Sequence, residues 1–166
     1  MENMVELVYR TWGSWGQFSR SIAILVDGSV IDPIIVSRKT WRGDRIVKKI
    51  NIEGKEYEVV IENNDSRKNT NRRVFVPKEI VVAVVRESKS SSGWKGFVVD
   101  GEGEIVSEEK EEIKENAKYR YIRTIRVYYY INEKRGIKVP VKEVKVGFRK
   151  ELKDKPFVKI EVDDKI

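Results

Sequence analysis

The stretch that decides the fold class is KYRYIRTIRVYYYI, residues 118–131, in which aromatic and β-branched residues dominate. Such residues favour strands, and alternate side chains of a strand point to opposite faces of its sheet. One face then carries Lys118, Arg120, Thr124, Arg126, Tyr128 and Tyr130. The other carries Tyr119, Tyr121, Ile125, Val127, Tyr129 and Ile131, with Arg123 as the exception. The pattern predicts a strand whose second face is core and whose first face is a basic, aromatic surface.

The rest of the chain has a β-forming composition as well. Among its 166 residues are 24 Val and 18 Ile, but only 3 Leu and 3 Ala. Val and Ile are stiff at χ1 and suit pleated strands, whereas Leu and Ala usually fill helices. We therefore expect a mainly β fold, either a single antiparallel β-sandwich or a partly open barrel of about nine to eleven strands.

Turn signals divide the chain into short runs. Strands are predicted over residues 4–10, 18–26, 30–37, 45–52, 55–62, 74–86, 97–100, 105–106, 119–131, 137–148 and 157–162. Pro33 inside the third run indicates an edge strand or a bulge. A chain of this length predicts one domain, residues 1–166. Because Val26-Asp27-Gly28 recurs as Val99-Asp100-Gly101, two related β-modules, about 1–87 and 94–166, are the alternative.

Residues 107–118 contain the one candidate helix, with Ser107 as its cap. Like charges recur at i,i+4 along it, and Ile113 is nearly alone as an apolar anchor. We expect a short helix or an acidic loop. From Glu102 to Glu115 there are seven acids and two lysines, just before the basic run. These acids either balance that charge or form a flap that competes with nucleic acid for the basic face.

The missing residue types limit the chemistry. The chain has no Cys and no His, which excludes disulfides, zinc–thiolate sites and a histidine base. It also lacks a glycine-rich phosphate loop and a nucleophile elbow. The remaining enzyme candidate is a carboxylate-metal nuclease using Glu143, Lys145 and Asp100. We expect no catalytic residue, no metal and no cofactor.

The balance of charged residues bears on source and location. Abundant Lys and Glu with few thermolabile residues indicate a hyperthermophile, and we expect an archaeon or an archaeal virus. No apolar run is long enough to cross a membrane, and the N-terminus resembles no signal peptide, so a cytoplasmic protein without a membrane partner is expected. The net charge of +7 either attracts polyanions or serves solubility.

All four tryptophans lie within two residues of a glycine, in turn-like sequence. Trp41 is surrounded by cations, and the candidate contacts here are Arg38, Lys39, Trp41, Arg42 and Arg45. Cations neutralise phosphates, and an aromatic ring among them can stack on an unpaired base. The alternative is a solvated loop whose tryptophan folds back onto the sheet. Trp12 and Trp15 either form a stacking pair or plug one end of a barrel, and the plug is favoured.

A second binding platform is expected at Trp94, Lys95, Arg120, Arg126 and Tyr128. These candidates favour a non-enzymatic protein that binds single-stranded DNA or RNA, since no basic recognition helix is visible to enter a duplex groove. The alternative is a structural protein, such as a virion component, or an adaptor that pairs with a protein or with itself through an edge strand. The apolar run 81–85 supports that alternative. A metal nuclease comes third.

Overall fold

Antiparallel β-sheet forms almost all of the structure, a computed structural model that describes residues 3–13 and 15–161 and the side chains of 3–13 and 15–154. The mainly β fold expected from composition is confirmed. Its strands form two open sheets rather than a closed barrel, which is consistent with the sandwich alternative. The part of the chain described here has no helix with the length and apolar character needed to cross a bilayer.

Contacts within the chain group it into two compact units. The first comprises Met1–Glu104 and Asn132–Ile137, and the second Ile105–Ile131 and Lys138–Ile166. These boundaries differ from those of the two modules considered above, because the first unit takes a segment from each half of the chain. A single domain for residues 1–166 stays a prediction.

The first unit contains an eight-stranded sheet. Its strands are β1 (Met4–Trp12), β2 (Gln17–Leu25), β3 (Val30–Ile31), β4 (Arg45–Ile52), β5 (Lys55–Asn63), β6 (Asn71–Pro77), β7 (Val81–Ser90) and β8 (Gly93–Gly101). Their order is β4-β5-β6-β1-β2-β7-β8, with β3 beside β2, and a 3₁₀ turn, Lys78–Ile80, separates β6 from β7. The predicted hairpin of β4 and β5 is confirmed, with Ile52 opposite Lys55.

Apolar residues of these strands pack into one core cluster. Its fully buried members include Leu7 on β1, Ile61 on β5 and Val74 on β6. Burial of one such side chain stabilises the fold by about 1.5–3 kcal/mol. The cluster fixes the register of the strands, because a shift by one residue would turn the apolar side chains to solvent.

Residues 30–37 do not form the predicted strand. Only Val30–Ile31 form a strand, and α1 (Pro33–Val36) follows after Asp32. Asp32 caps this helix, because its Oδ1 accepts a hydrogen bond from the Ile34 amide at 3.0 Å. Proline at the first helical position has a φ already suited to the helix and needs no amide partner there. The local start signal therefore outweighs the strand preference of the β-branched residues.

The second unit contains a four-stranded sheet in the order β12-β11-β10-β9. The strands are β9 (Glu104–Glu115), β10 (Tyr119–Asn132), β11 (Ile137–Leu152) and β12 (Lys155–Glu161). The expectation of a helix or an acidic loop over 107–118 is wrong, because most of that segment belongs to β9. An extended backbone carries its glutamates to cations of β10 and β11: Glu109 lies 2.7 Å from Arg126 on β10, and Glu108 lies 2.8 Å from Lys138 on β11.

Strand β10 confirms only part of the predicted division into two faces. Ile125 and Val127 are buried as expected. Tyr130 was assigned to the surface face, yet it is completely buried, and Ile122 on the same face is buried too. Both faces of β10 therefore contain buried residues, so a rule that assigns one face to core and the other to solvent fails for this strand.

Candidate nucleic-acid interface

The segment between α1 and β4 forms an ordered turn around Trp41. The Trp41 amide donates to Asp44 Oδ2 at 2.8 Å, and the Asp44 amide donates back to the Trp41 carbonyl at 2.9 Å. Gly43 has a φ of 88°, which the turn requires, and Lys39 has a φ of 65° although it has a Cβ. Non-glycine residues rarely adopt this left-handed region, so the surrounding structure must stabilise it.

Asn63, at the end of β5, holds this turn in place. Its Nδ2 donates to the Thr40 carbonyl at 2.7 Å, and its own carbonyl accepts from the Gly43 amide at 2.9 Å. The backbone amide of Asn63 donates to the Asp44 carbonyl at 3.0 Å. Asn63 is buried, so these bonds are shielded from water. Its position eighteen or more residues after the turn explains why the sequence did not reveal this role.

The side chains around the turn point to solvent. Trp41 is 76% exposed, so its ring does not fold back onto the sheet. Arg38, Lys39 and Arg42 are exposed, and no carboxylate pairs with them within the described residues. Arg45 lies 3.2 Å from Glu62. The structure thus brings the five candidates of this segment together, and three of their positive charges have no carboxylate partner in the described part of the chain.

Trp94 and Lys95 lie at the start of β8. The Trp94 indole donates to Glu87 Oε2 at 2.9 Å and packs edge-on against Phe97, with ring centroids 5.2 Å apart. Its ring is 40% exposed. Lys95 is exposed and donates to the Ser92 hydroxyl. Trp94 is therefore a fixed, half-exposed ring, and Lys95 is its exposed neighbour in the chain.

Of the other candidates, which lie in the second unit, the two arginines pair with acids of β9 and Tyr128 bonds Arg126. Arg120 bonds Glu115 at 2.8 Å. The hydrogen bonds of Arg126 with Glu109 and with Tyr128 raise the pKa of the guanidinium. These contacts favour charge balance within the sheet over a free acidic flap, because each arginine already has an anionic partner.

Topology gathers all four tryptophans at one end of the eight-stranded sheet. This end contains the segment before β4, the β5–β6 loop, the β1–β2 turn and the β7–β8 turn. The pairs Arg45↔Glu62, Asn63↔Arg72, Arg10↔Asn71, Trp12↔Gln17, Phe18↔Lys89 and Ser90↔Gly93 establish that these segments share one end. We call it the tryptophan rim: residues 38–45, 64–70, 11–13, 15–18 and 88–95.

The preferred assignment of Trp12 and Trp15 as a plug is wrong. No barrel closes among the described strands, and Trp15 is 79% exposed at the tip of the β1–β2 turn. Gly13 and Gly16, with φ of 75° and 67°, allow that turn to reverse tightly. The sequence contained the signal, since Trp15 lies between a serine and a glycine with no apolar run to pack in.

The two ends of this sheet differ in charge. Cations of the rim without a carboxylate partner among the described residues are Arg38, Lys39, Arg42, Arg67, Lys68, Lys89 and Lys95. Its acids are engaged in the loops, as when Asp44 holds Trp41. The turns at the opposite end, including the segment 132–137 of the same unit, carry Asp27, Glu53, Glu79, Glu102 and Glu133 together with Lys55, Lys78, Lys134 and Arg135. The excess positive charge is therefore concentrated where the tryptophans lie.

Asp65 organises the β5–β6 loop of the rim. Its carboxylate accepts from the Asn71 amide at 2.9 Å and pairs with Arg72 at 3.0 Å. Burial raises the pKa of Asp65, but the hydrogen bonds from Arg72 and Asn71 outweigh this effect and hold the pKa below its ordinary value. The ionised carboxylate thus stabilises the folded state.

Acid should destabilise the protein in part through Asp65. Because its folded pKa lies below the unfolded value of about 3.9, its contribution is complete above that pH and is lost as pH falls through the folded pKa. We expect the Tm of Asp65→Asn to fall less than that of the wild type between about pH 5 and pH 2. Glu79→Gln, on the exposed opposite end, is the control. Parallel Tm curves for Asp65→Asn and the wild type would contradict this role.

The structure adds little support for the two alternative functions considered from the sequence, protein pairing through the run 81–85 and a metal nuclease. Strand β7, which contains residues 81–85, lies between β2 and β8, so its backbone is paired on both sides and is not a free edge. Within the described residues, no group of three or more acidic side chains is placed to hold a metal ion. Asp100, one of the nuclease candidates, lies 3.3 Å from Arg86.

Comparison of the chain with protein-family models, with curated proteins and with solved structures found no match. A proposal about the function of this protein must therefore rest on its own residues.

Proposed function

We propose that this protein binds single-stranded nucleic acid, DNA or RNA, without catalysing a reaction, and that the turn 38–45 is its primary contact. One observation carries the proposal. Trp41 is 76% exposed on a turn that several hydrogen bonds hold in place, beside cations without carboxylate partners among the described residues. An exposed indole in such surroundings suits stacking on a base whose phosphates the cations neutralise.

An ordered turn favours binding because less conformational entropy is lost when the ligand arrives. Immobilising a flexible side chain at an interface costs about 0.5–1.5 kcal/mol, and ordering the backbone of a mobile loop costs more. The bonds from Asn63 have already fixed the backbone around Trp41. Most of the roughly 1–3 kcal/mol from stacking one base is then available for affinity.

A single strand fits this site better than a duplex. Bases in a duplex are already stacked on each other, and their edges are reached by a helix or ribbon that enters a groove. The α-helix of the described chain, α1, has four residues and no basic side chain. Trp94 and Lys95 would contact the same strand, whereas Arg120, Arg126 and Tyr128 would contribute less because nucleic acid must first displace Glu115 and Glu109.

The proposal retains the setting expected from composition, a hyperthermophilic archaeon or its virus and a cytoplasmic location. There the excess of positive charge on the rim would meet RNA and transiently unpaired DNA. Binding to another protein through an edge strand is the competing function, and the measurements below distinguish it.

Removing the charge of Arg42 should reduce the salt dependence of binding. Each phosphate neutralised on a single strand contributes about 0.7 to the slope of log K against log salt, so Arg42→Ala should lower the slope by about that amount. Lys78→Ala, an exposed cation at the opposite end of the sheet, removes the same charge and should leave the slope unchanged. Anisotropy titrations of a labelled oligonucleotide at several salt concentrations measure both. Equal slopes for the two variants would place the contact elsewhere.

A further inference from the structure

We propose that the bound strand runs across the whole tryptophan rim, roughly perpendicular to the β-strands, and that Trp15 with Lys89 forms a second stacking site. This inference rests on the proposed function, because it extends the contact made by Trp41. Lys89 is not among the binding residues proposed from the sequence, and Trp15 appears there only in the less favoured alternative, a stacking pair with Trp12.

The order of the strands places the rim segments in a row. From β4 to β8 the sequence of segments is the Trp41 turn, the β5–β6 loop, the β1–β2 turn with Trp15, and the β7–β8 turn with Trp94. Neighbouring strands lie about 4.8 Å apart, so the row is about 29 Å long. The turn with Trp15 joins β1 and β2, so it lies three to four strand spacings from β4, or about 14–19 Å from the strand that follows the Trp41 turn. A single strand must therefore extend past the base on Trp41 to reach Trp15.

The surroundings of Trp15 resemble those of Trp41. Its ring is 79% exposed at a tight turn. The Lys89 ammonium lies 3.7 Å from the point that a Cβ on Gly16 would occupy, so a cation lies directly beside this turn. Lys89 has no carboxylate partner among the residues that the structure describes. An exposed ring with an unneutralised cation is the combination that binds a base together with its phosphate.

Charge continues between the two rings. The β5–β6 loop lies between the Trp41 turn and the β1–β2 turn and exposes Arg67 and Lys68, neither of which has a carboxylate partner in the described part of the chain. The opposite end of the same sheet exposes acids and cations in nearly equal number and has no tryptophan. A uniformly basic surface would not show this difference in charge between the two ends, whereas a protein that binds a polyanion along the tryptophan rim would show it.

The experiment compares a short and a long oligothymidylate, about 3 and about 12 nucleotides, within the range of site sizes known for single-strand binders. Trp15→Ala should weaken binding of the long strand by about 5-fold or more, the loss of one stacked base, and leave the short strand unaffected. Trp41→Ala should weaken both. Ile113→Ala, which removes an exposed apolar side chain from β9, is the control and should change neither.

The outcomes distinguish a failure of binding across the whole rim from a failure of the proposed function. If Trp15→Ala binds the long strand like the wild type while Trp41→Ala is weakened, binding across the whole rim is overturned and single-strand binding at the Trp41 turn stands. Equal losses of affinity for Trp15→Ala on the short and long strands would also overturn binding across the whole rim, because both rings would then contact the same few nucleotides. If the wild type binds neither oligonucleotide, the proposed single-strand binding is overturned, and binding across the rim is overturned with it.

Discussion

Replacing Trp41 by alanine is expected to weaken binding of single-stranded nucleic acid by about 5- to 150-fold, the equivalent of one lost base stack. The salt dependence should stay the same, because the indole carries no charge and contacts no phosphate as an ion. Folding should be almost unaffected, since the ring is 76% exposed and the turn is held by backbone groups and by Asn63. Anisotropy titration measures the affinity, and thermal unfolding verifies the fold.

Trp41→Phe provides the matched control for this substitution. Phenylalanine retains a ring that stacks but removes the indole nitrogen, so it should recover much of the affinity lost in Trp41→Ala. Equal affinities of the alanine variant and the wild type would move the site away from this turn. A phenylalanine variant as weak as alanine would exclude stacking as the source of the affinity.

Replacing Arg20 by methionine is expected to destabilise the fold by about 3–5 kcal/mol, or to lower the Tm by about 6–20 °C. Arg20 bonds Asp32 and Glu87 at 2.7 Å each, and all three side chains are largely buried. Asp32 caps α1, and Glu87 accepts the Trp94 indole, so Arg20 links the helix to the rim. Without Arg20, the two buried carboxylates lose the guanidinium that both of them contact.

Arg73 is a matched control for Arg20. It also contacts two carboxylates, those of Glu6 at 2.8 Å and Glu62 at 3.4 Å, but its side chain is 35% exposed. Arg73→Met should therefore cost only about 1 kcal/mol or less. Adding Asp32→Asn and Glu87→Gln to Arg20→Met should recover part of the lost stability, because both buried anions are then neutral. Equal losses for Arg20→Met and Arg73→Met, measured by denaturant unfolding, would contradict this account.

Much of the fold follows from local patterns in the sequence. The predicted hairpin 45–52 and 55–62 differs from β4 and β5 by one residue at the end of β5, since alternating apolar side chains and Glu53-Gly54 specify it locally. Two errors have physical causes. At 30–37, the cap at Asp32 and the proline after it outweighed β-branched residues. At 107–118, glutamates paired with Arg126 and Lys138, which are too distant in sequence for a local pattern to include.

The candidate site was predictable only where its residues are neighbours in sequence. Arg38 to Arg45 form one segment, and its composition alone indicated the Trp41 turn. The rim depends on the strand order, which places β1 between β6 and β2, and no local pattern specifies that order. For the same reason the sequence did not reveal Asn63 as the anchor of the Trp41 turn or Lys89 as a neighbour of the β1–β2 turn at Gly16.

Binding of the wild-type protein to single-stranded DNA, single-stranded RNA and duplex DNA is the most direct test of the proposed function. Labelled oligonucleotides would be titrated at about 50 and about 200 mM salt while anisotropy and tryptophan fluorescence are followed. We expect micromolar or tighter binding that weakens steeply with salt, with tryptophan quenching mainly on single strands. No binding at the lower salt concentration would contradict the proposal, and the charge of +7 would then serve solubility in a protein whose partner is another protein.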